Sequence, residues 1–336
     1  MRMAYIDRNG ISYSRARIVQ LRLAGAVALL CAAAAGLFLG SGDIALLDVC
    51  AALMGRADAA VAAIILDIRL PRVLMAGSAG AALALAGLSF QAVLKNPLAE
   101  PYILGISSGA AVGFIIAKTL ACTVIGTEFA TFCGGLVSLV FVWMLNGRRS
   151  AEGLLLSGVM LNAFCGALIL LLLSLLRPGE ASAVLSWFLG YLGYCDLATA
   201  SWHCAALLPC CILLSCAGHC MNLMLLSEEE ATSLGVPVPA VTMCLLGLAS
   251  LMVSMVVASA GPLGFVGLVV PQALRCIVGA DHRLLAAGCL FFGAAFLMLS
   301  DTVSRVIVPS SELPVGVVTA LIGAPMFIML LRRQAR

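Results

Sequence analysis

The sequence has few charged residues, and this shortage excludes most soluble folds. Only 10% of the 336 residues are charged and 63% are hydrophobic, whereas a soluble domain normally has about a quarter of its residues charged. A phosphate-binding loop GxxxxGK[ST] is also missing, and neither of the two lysines, Lys95 and Lys118, follows a glycine-rich turn. The chain is therefore expected to lie in a bilayer among membrane lipids, without an ATPase site of its own. Its net charge of +3 does not argue for a nucleic-acid partner.

Long apolar runs rich in Leu and Ala predict an all-α polytopic membrane protein. A spanning helix needs roughly 20 apolar residues, whereas a membrane strand needs about 10 residues in strict alternation. Two shorter segments, 44–55 and 183–194, are predicted to be interfacial or re-entrant helices. The runs predict a single transmembrane domain, 1–336, of about ten spans: 18–40, 62–92, 101–120, 126–146, 153–176, 198–218, 238–259, 262–279, 284–304 and 314–331.

The distribution of cations predicts the orientation of these spans. Lys and Arg in short loops are retained on the cytoplasmic side, and most of the 19 Lys and Arg residues fall on one side of the predicted topology. Both termini, including the segment 1–17, are therefore expected to be cytoplasmic. If the first and sixth spans are peripheral, the other eight form two groups of four with opposite orientation, as in an inverted repeat.

The 14 cysteines show no CxxC pair and no zinc-type spacing, so no metal site is predicted. One span, 203–220, is nevertheless rich in His and Cys. Ligands for haem or a metal could converge there, and the alternative is ordinary packing of small apolar thiols.

The segment 227–236, between the sixth and seventh spans, predicts a short helix that is capped at both ends. Ser227 and Glu230 fit a capping box, and Gly235 supplies a C-terminal stop. A helix of this length is barely stable alone, so two caps indicate a rigid surface for a partner; the alternative is an ordinary polar turn. The residues assigned to this surface are Ser227, Glu228, Glu229, Glu230, Ala231, Leu234 and Gly235.

Three arginines are candidates for a partner on the other side of the membrane. Arg69 and Arg72 flank Pro71 where the second span is expected to begin, and a helix N-terminus is already positive, so helix stability does not explain them. They either extend to lipid headgroups or receive acidic groups from a partner. Arg305 follows Asp301 by four residues in the favourable order, so local pairing and docking both stay open for it.

Three stretches of the sequence resemble one family of membrane proteins. The hinge KNPLAEP (95–101) separates two apolar runs, residues 261–283 read GPLGFVGLVVPQALRCIVGADHR, and a third stretch, 301–331, begins DTVSR. Together they resemble the FecCD-type permeases of ATP-driven importers for iron chelates, haem and vitamin B12, over most of the chain from about residue 60. The resemblance implies a bundle like that of the vitamin B12 importer permease. Gln272 replaces the family's usual histidine, so the role of that histidine is not carried over.

The resemblance also implies several subunits. The chain would be the permease of a binding-protein-dependent importer in the bacterial or archaeal cytoplasmic (inner) membrane, carrying an iron–siderophore complex as first choice, or cobalamin or haem. It would not be an enzyme, because two partner ATPase subunits on the cytoplasmic face would bind ATP and Mg. Segment 227–236 matches the family's coupling helix, and a second permease copy would complete a dimer. Arg69, Arg72 and Arg305 match arginines that receive glutamates of an extracytoplasmic substrate-binding protein.

Few polar residues are candidates for lining a pathway. The fifth span carries Ser157 and Asn162, and the short segment 183–194 offers Ser186, Trp187 and Tyr191. Across a homodimer axis these residues could form a weakly polar channel. Asn162 equally suits a hydrogen bond to a neighbouring helix, and a gating role for the fifth span is implied by the resemblance alone.

Two other classes of protein compete with an importer permease. A stand-alone ion-coupled transporter or channel usually carries ionisable residues near the bilayer midplane, and here only Lys118 and Asp301 come close, both near the outer edge. An intramembrane enzyme finds no support, because the sequence has no HExxH and no convergent Ser/His pair or paired acids.

Overall fold

The computed structural model describes residues 15–40, 44–145, 151–193, 195–307 and 313–334. Within these ranges every regular element is helical. Most of the predicted cytoplasmic segment 1–17 lies outside the described residues, as do Arg148 and Arg149, two of the cations that the sequence assigns to the cytoplasmic side. The helices are α1 (Arg15–Phe38), α2 (Leu46–Leu53), α3 (Ala59–Ala63), α4 (Leu70–Val93), α5 (Ile106–Thr119), α6 (Val124–Leu145), α7 (Ala151–Leu175), α8 (Pro178–Phe188), α9 (Leu197–Cys216), α10 (Gly218–Met224), α11 (Glu228–Ser233), α12 (Val238–Ala260), α13 (Val266–Val278), α14 (His282–Val306) and α15 (Val315–Gln334).

Each predicted span coincides with a helix, and the prediction of a polytopic helical protein is confirmed. Among the described residues, seven helical segments are long and apolar enough to cross a membrane. The other three predicted spans correspond to shorter apolar helices: Ile106–Thr119, Val266–Val278 and Val315–Met329. The short helix predicted within 44–55 is α2.

Helix α4 lies at the centre of the bundle. In its most apolar window 89% of the residues are buried, compared with 17% for α1 and 22% for α7 and for α9. Small residues allow this enclosure: a Cβ on Gly80 would collide with the carbonyl oxygen of Gly293 in α14, and one on Gly87 with that of Gly267 in α13. The glycines therefore let the backbones of neighbouring helices approach closely.

The start of the second span differs from the prediction. Helix α3 continues through a π-helical turn, Ile64–Arg69, into α4, so Arg69 and Arg72 do not lie at a helix N-terminus and the helix-dipole argument for them was wrong. Pro71 explains the irregular turn, because it has no N–H for the i→i−4 bond and its ring would clash with the carbonyl four residues earlier.

Three other element boundaries depend on residues with positive φ. Gly105 (φ 79°) separates a 3₁₀ turn, Pro101–Leu104, from α5, and Phe265 (φ 69°) precedes α13. Gly190 (φ 73°) lies after α8, which ends at Phe188. The predicted helix 183–194 is therefore correct only in its first half, and Tyr191 lies in a connector.

The bundle has two ends, defined here by the short helices at each. The α2 end carries α2, Arg69 and the last turns of α14. The α11 end carries α11 and the hinge after α4, where Lys95 Nζ donates to Leu226 O at 2.5 Å. Helices α4 and α14 run antiparallel between the two ends, since Arg72 near the start of α4 contacts Asp301 near the end of α14.

Candidate functional site

At the α2 end, Asp301 holds two arginines in a buried ion cluster. Arg72 Nε donates to Asp301 Oδ1 at 2.7 Å, and Arg305 Nε donates to Oδ2 at 3.0 Å. The three residues are 4%, 5% and 1% exposed, in the order Arg72, Arg305, Asp301. The local pairing of Asp301 with Arg305, one of the two alternatives left open by the sequence, is present in the structure. The additional bond to Arg72 joins α4 to α14 across the bundle.

Arg69 and Arg305 also bind the C-terminal end of α1. Arg69 Nη1 donates to Leu37 O at 2.7 Å and to Phe38 O at 3.2 Å, and Arg305 Nη2 donates to Gly36 O at 3.0 Å. The last carbonyl groups of a helix lack intrahelical partners and carry partial negative charge. The carbonyl groups at the end of α1 therefore offset part of the net positive charge that three arginines and one aspartate leave in the cluster.

The burial of Arg69 and Arg72 bears on the two roles considered for them, contact with lipid headgroups and docking of an acidic partner. Both side chains are only 4% exposed and end inside the protein, whereas an arginine that extends to lipid headgroups runs along the outer surface. The alternative of lipid contact is therefore wrong for this conformation. Docking of an acidic partner stays a prediction.

The ion cluster contacts the connector between α8 and α9. The guanidinium carbon of Arg72 lies 5.5 Å from the centroid of the Tyr191 ring, within the range of a cation–π contact. The backbone N–H of Tyr191 donates to Ala260 O at 3.0 Å, which ties the connector to the end of α12. Two residues assigned to different roles from the sequence, Arg72 and Tyr191, are thus neighbours.

Helix α11 has the two caps that the sequence predicts. Ser227 Oγ accepts from the Glu230 N–H at 3.2 Å, and the Glu230 carboxylate accepts from the Ser227 N–H at 3.0 Å. At the other end, the N–H of Gly235 (φ 81°) donates to Thr232 O, and that of Val236 donates to Ala231 O. This pair of bonds is a Schellman motif, in which glycine readily adopts the left-handed conformation.

The caps fix which side chains α11 turns outward. Ala231 is 1% exposed and anchors the helix, whereas Leu234 is 63% exposed. Glu228, Glu229 and Glu230 are all exposed. The helix therefore presents three carboxylates and one apolar side chain on a rigid scaffold of two turns.

The predicted pathway residues make different contacts within this chain, and their place across a dimer axis stays a prediction. Asn162 is used for packing: its Oδ1 accepts from Ser108 Oγ at 2.7 Å and its Nδ2 donates to Ile103 O at 3.1 Å, so α7 is tied to α5 and the 3₁₀ turn. Trp187 stacks on Phe114 with ring centroids 4.3 Å apart. Ser157 is half-buried and Ser186 is exposed, with its Oγ donating back to Ser182 O.

The His/Cys-rich span has no metal-type geometry among the described residues. His203 lies between two hydroxyl groups, with Ser78 Oγ 3.1 Å from Nδ1 and Ser259 Oγ 3.0 Å from Nε2. No group of three His, Cys, Asp or Glu side chains in the described ranges could hold a metal ion. His203 therefore links α4, α9 and α12. Gln272, the departure from the family pattern, donates through Nε2 to Pro97 O and ties α13 to the hinge.

The sequence analysis missed the contacts that join this hinge to the start of α13. Glu100 Oε1 accepts from the Phe265 N–H at 2.7 Å, and Tyr102 OH donates to Leu263 O at 3.0 Å. Burial raises the pKa of the Glu100 carboxyl, and the bond from Phe265 opposes that shift. The partners lie more than 160 residues apart, so no local pattern could have indicated them.

Comparisons with known proteins agree with this geometry. The model of the FecCD transport family matches residues 27–333. The hemin transport system permease protein HmuU of Yersinia pestis is 38% identical over 277 residues, covering 80% of this chain and 83% of that protein. The cobalamin import system permease protein BtuC of Halobacterium salinarum is 41% identical over 281 residues, covering 80% and 73%.

A solved structure of an inward-facing ABC transporter of the metal-chelate type has the same fold. It superposes with a TM-score of 0.86 at 29% identity, covering 94% of this chain and 99% of that one. PsaBC from Streptococcus pneumoniae shares the fold more distantly, with a TM-score of 0.54 at 17% identity. A family match over most of the length, together with the capped α11 and a bundle of membrane-spanning helices, leads to one assignment: the chain belongs to the FecCD transport family and is an ABC transporter permease.

Proposed function

We propose that this chain is the permease subunit of a binding-protein-dependent importer that moves a metal chelate into the cytoplasm. The observation that carries the proposal is α11, a doubly capped helix that turns three glutamates and Leu234 outward. A six-residue helix does not persist in isolation. Its two caps hold a fixed shape that suits the groove of a separate ATPase, which binds ATP and Mg.

The proposed orientation places the α11 end in the cytoplasm and the α2 end outside, following the excess of cations that the sequence predicts on the cytoplasmic side. Nucleotide-driven closure of two ATPase subunits would displace α11 and change which side of the pathway is open. Two copies of the permease would flank the pathway, with Ser157, Ser186, Trp187 and Tyr191 as candidate lining residues. The chain itself performs no covalent chemistry.

The proposed cargo is a compact metal chelate. HmuU is a hemin permease and BtuC a cobalamin permease, which supports haem or cobalamin as cargo. An iron–siderophore complex, the first choice from the sequence, is a third candidate and is tested together with haem and cobalamin. Because the pathway candidates are weakly polar, most of the selectivity is assigned to the binding protein.

At the α2 end the proposal assigns Arg69, Arg72 and Arg305 to an acidic binding protein. Their guanidinium groups already bind Asp301 and the end of α1. The partner would act through the net positive charge of the cluster, or would exchange its own carboxylates for these bonds. Docking should therefore weaken as ionic strength rises.

The test is reconstitution of the permease with a cognate ATPase and binding protein in proteoliposomes. Haem, cobalamin and a ferric siderophore are each loaded on the binding protein, and uptake is measured with and without ATP. The expected result is ATP-dependent accumulation of one chelate that stops when the ATPase cannot hydrolyse ATP. A cysteine introduced as Ser233→Cys, in a background without the exposed native cysteines, reports the side of the membrane on which α11 lies.

Two outcomes would overturn the proposal. Accumulation by the permease alone, driven by an ion gradient, would establish the stand-alone transporter. Labelling of Ser233→Cys from the outside of intact cells would place α11 away from any ATPase.

A further inference from the structure

A short helix that the sequence analysis did not foresee, α10, connects the ninth helix to α11. Its first residue, Gly218, packs against the backbone at the start of α14: a Cβ there would lie 2.8 Å from His282 O and from Arg283 Cα. His219 Nδ1 lies 2.6 Å from Arg283 Nη2. Helix α10 therefore rests directly on the first turn of α14.

Asn222 makes the most specific contacts of this interface. Its Nδ2 donates to Asp281 Oδ1 at 2.8 Å, while its Oδ1 accepts from the His282 N–H at 2.9 Å and lies 2.9 Å from His282 Nδ1. Because a carboxylate only accepts, the amide nitrogen must face Asp281, and the amide oxygen then faces the donors of His282. One side chain thus uses both ends of its amide.

Asp281 and His282 are themselves held firmly. Asp281 caps α14 by accepting from the Arg283 N–H at 3.0 Å, and His282 is 1% exposed. Asn222 in turn lies only five residues before Ser227, the N-cap of α11. The amide therefore connects the base of α11 to the first turn of a long and mostly buried helix.

We propose that Asn222 is a positioning residue that fixes α11 to α14, so that a displacement of α11 moves α14 as a unit. Helix α14 has 25 residues and spans about 37 Å at 1.5 Å per residue. Asp301, near its far end, holds Arg72 and Arg305. Helix α14 thus connects α11, the proposed ATPase-binding surface, at one end of the bundle with the arginine cluster at the other end. This inference rests on the proposed function of α11.

The substitution Asn222→Asp tests the inference with little change in shape. It replaces the donor that faces Asp281 by a second carboxylate, so the two acids repel each other and the contact opens. Adding Asp281→Asn removes one of the two facing negative charges and with it the repulsion, and asparagine caps a helix as well as aspartate does. The matched control is Asn96→Asp at the same end, where the side chain only accepts from the Leu98 N–H and an aspartate does the same.

Two measurements separate positioning from general stability. In the complete reconstituted importer, Asn222→Asp is expected to lower the solute imported per ATP hydrolysed by roughly tenfold, while basal ATPase activity and subunit assembly persist. In the purified permease alone, amide hydrogen exchange should accelerate in segment 218–236 and not in α4. The double variant should return both readouts to within about twofold of the parent, and Asn96→Asp should leave both unchanged.

Several results would overturn the inference: an unchanged import ratio in Asn222→Asp, no recovery in the double variant, or an equal loss in Asn96→Asp. If Asn222→Asp does not assemble, Asn222→Ser removes the amide without adding charge and is judged by the same two readouts. Failure of the parent importer to use ATP would count against the proposed function alone, because hydrogen exchange in the isolated permease still tests the contact with α14.

Discussion

The two ends of the bundle both gather charged side chains, but they expose them very differently. At the α2 end, Arg69, Arg72, Asp301 and Arg305 are each at most 5% exposed and bind one another or the end of α1. At the α11 end, the glutamates of α11 are exposed on a capped scaffold. Charge buried in a low-dielectric interior needs a partner within the fold, whereas exposed charge costs little to leave available. The first end is therefore built around internal bonds, and the second is open to another protein.

The largest expected effect comes from disrupting the ion cluster at the α2 end. Asp301→Asn removes the negative charge between two buried guanidinium groups and should cost about 3–5 kcal/mol, the range for leaving a buried charge uncompensated. Thermal unfolding of the purified permease in detergent would measure the loss. Asp67→Asn, an exposed carboxylate at the same end, serves as the control and should change little. Equal stability of the two variants would show that the cluster is not held by Asp301.

The next effect concerns the attachment of α1. Arg69→Met keeps the apolar stem but removes the bonds to Leu37 O and Phe38 O, and hydrogen bonds to a charged group contribute about 1.5–3 kcal/mol. Limited proteolysis should then release α1 faster than in the parent. Arg56→Met, at an exposed position, is the matched change. Similar cleavage of both variants would argue that α1 is held by apolar packing alone.

A smaller effect is expected from removing a cap of the short helix at the α11 end. Ser227→Ala removes the N-cap of α11 and should cost about 1 kcal/mol locally, without a change in global unfolding. Hydrogen exchange of residues 228–233 would detect the fraying. The control is Ser233→Ala, whose hydroxyl only donates back to Glu230 O. Comparable exchange in the two variants would mean that the cap does not hold α11.

The smallest effect on stability comes from the exposed carboxylates themselves. Glu228→Gln with Glu229→Gln should cost only a few tenths of a kcal/mol per site, since both lie in the first turn of an exposed helix. The same variant should retain less ATPase during purification, with a weaker dependence on salt. Glu152→Gln removes an exposed acid from the start of α7 and should retain the ATPase fully. Undiminished retention in the double variant would leave Leu234 as the main contact.

The contrast between the ends also explains how much could be predicted from sequence. The helices that coincide with the ten predicted spans follow from the length of the apolar runs, and the caps of α11 follow from Ser227, Glu230 and Gly235, because these signals are local. The pairing of Asp301 with Arg305 is a one-turn contact, and it was therefore one of the two alternatives that the sequence left open for Arg305. The bond from Arg72 to Asp301 joins residues 229 positions apart, so the sequence indicated charges without showing that they neutralise one another.

Breaks within spans escaped the sequence analysis for the same reason. Phe265 adopts a positive φ, which is uncommon for a bulky side chain, and contacts with Glu100 and the hinge hold it there. Helix α10 continues the apolar character of α9, so hydropathy did not separate the two. Asn222 carried no signal of its own, because its partners Asp281 and His282 lie beyond three further helices, α11, α12 and α13.

The long separation between Arg72 and Asp301 has a consequence for biosynthesis. The two residues are 229 positions apart. A ribosome that adds about 5–20 residues per second therefore reaches Asp301 roughly 10–50 s after it has added Arg72. During that interval Arg72 has been made without its counter-ion, whereas the carbonyl groups of α1 that bind Arg69 are already present. The ion cluster is therefore completed only after α14 has been made, long after α4 has left the ribosome.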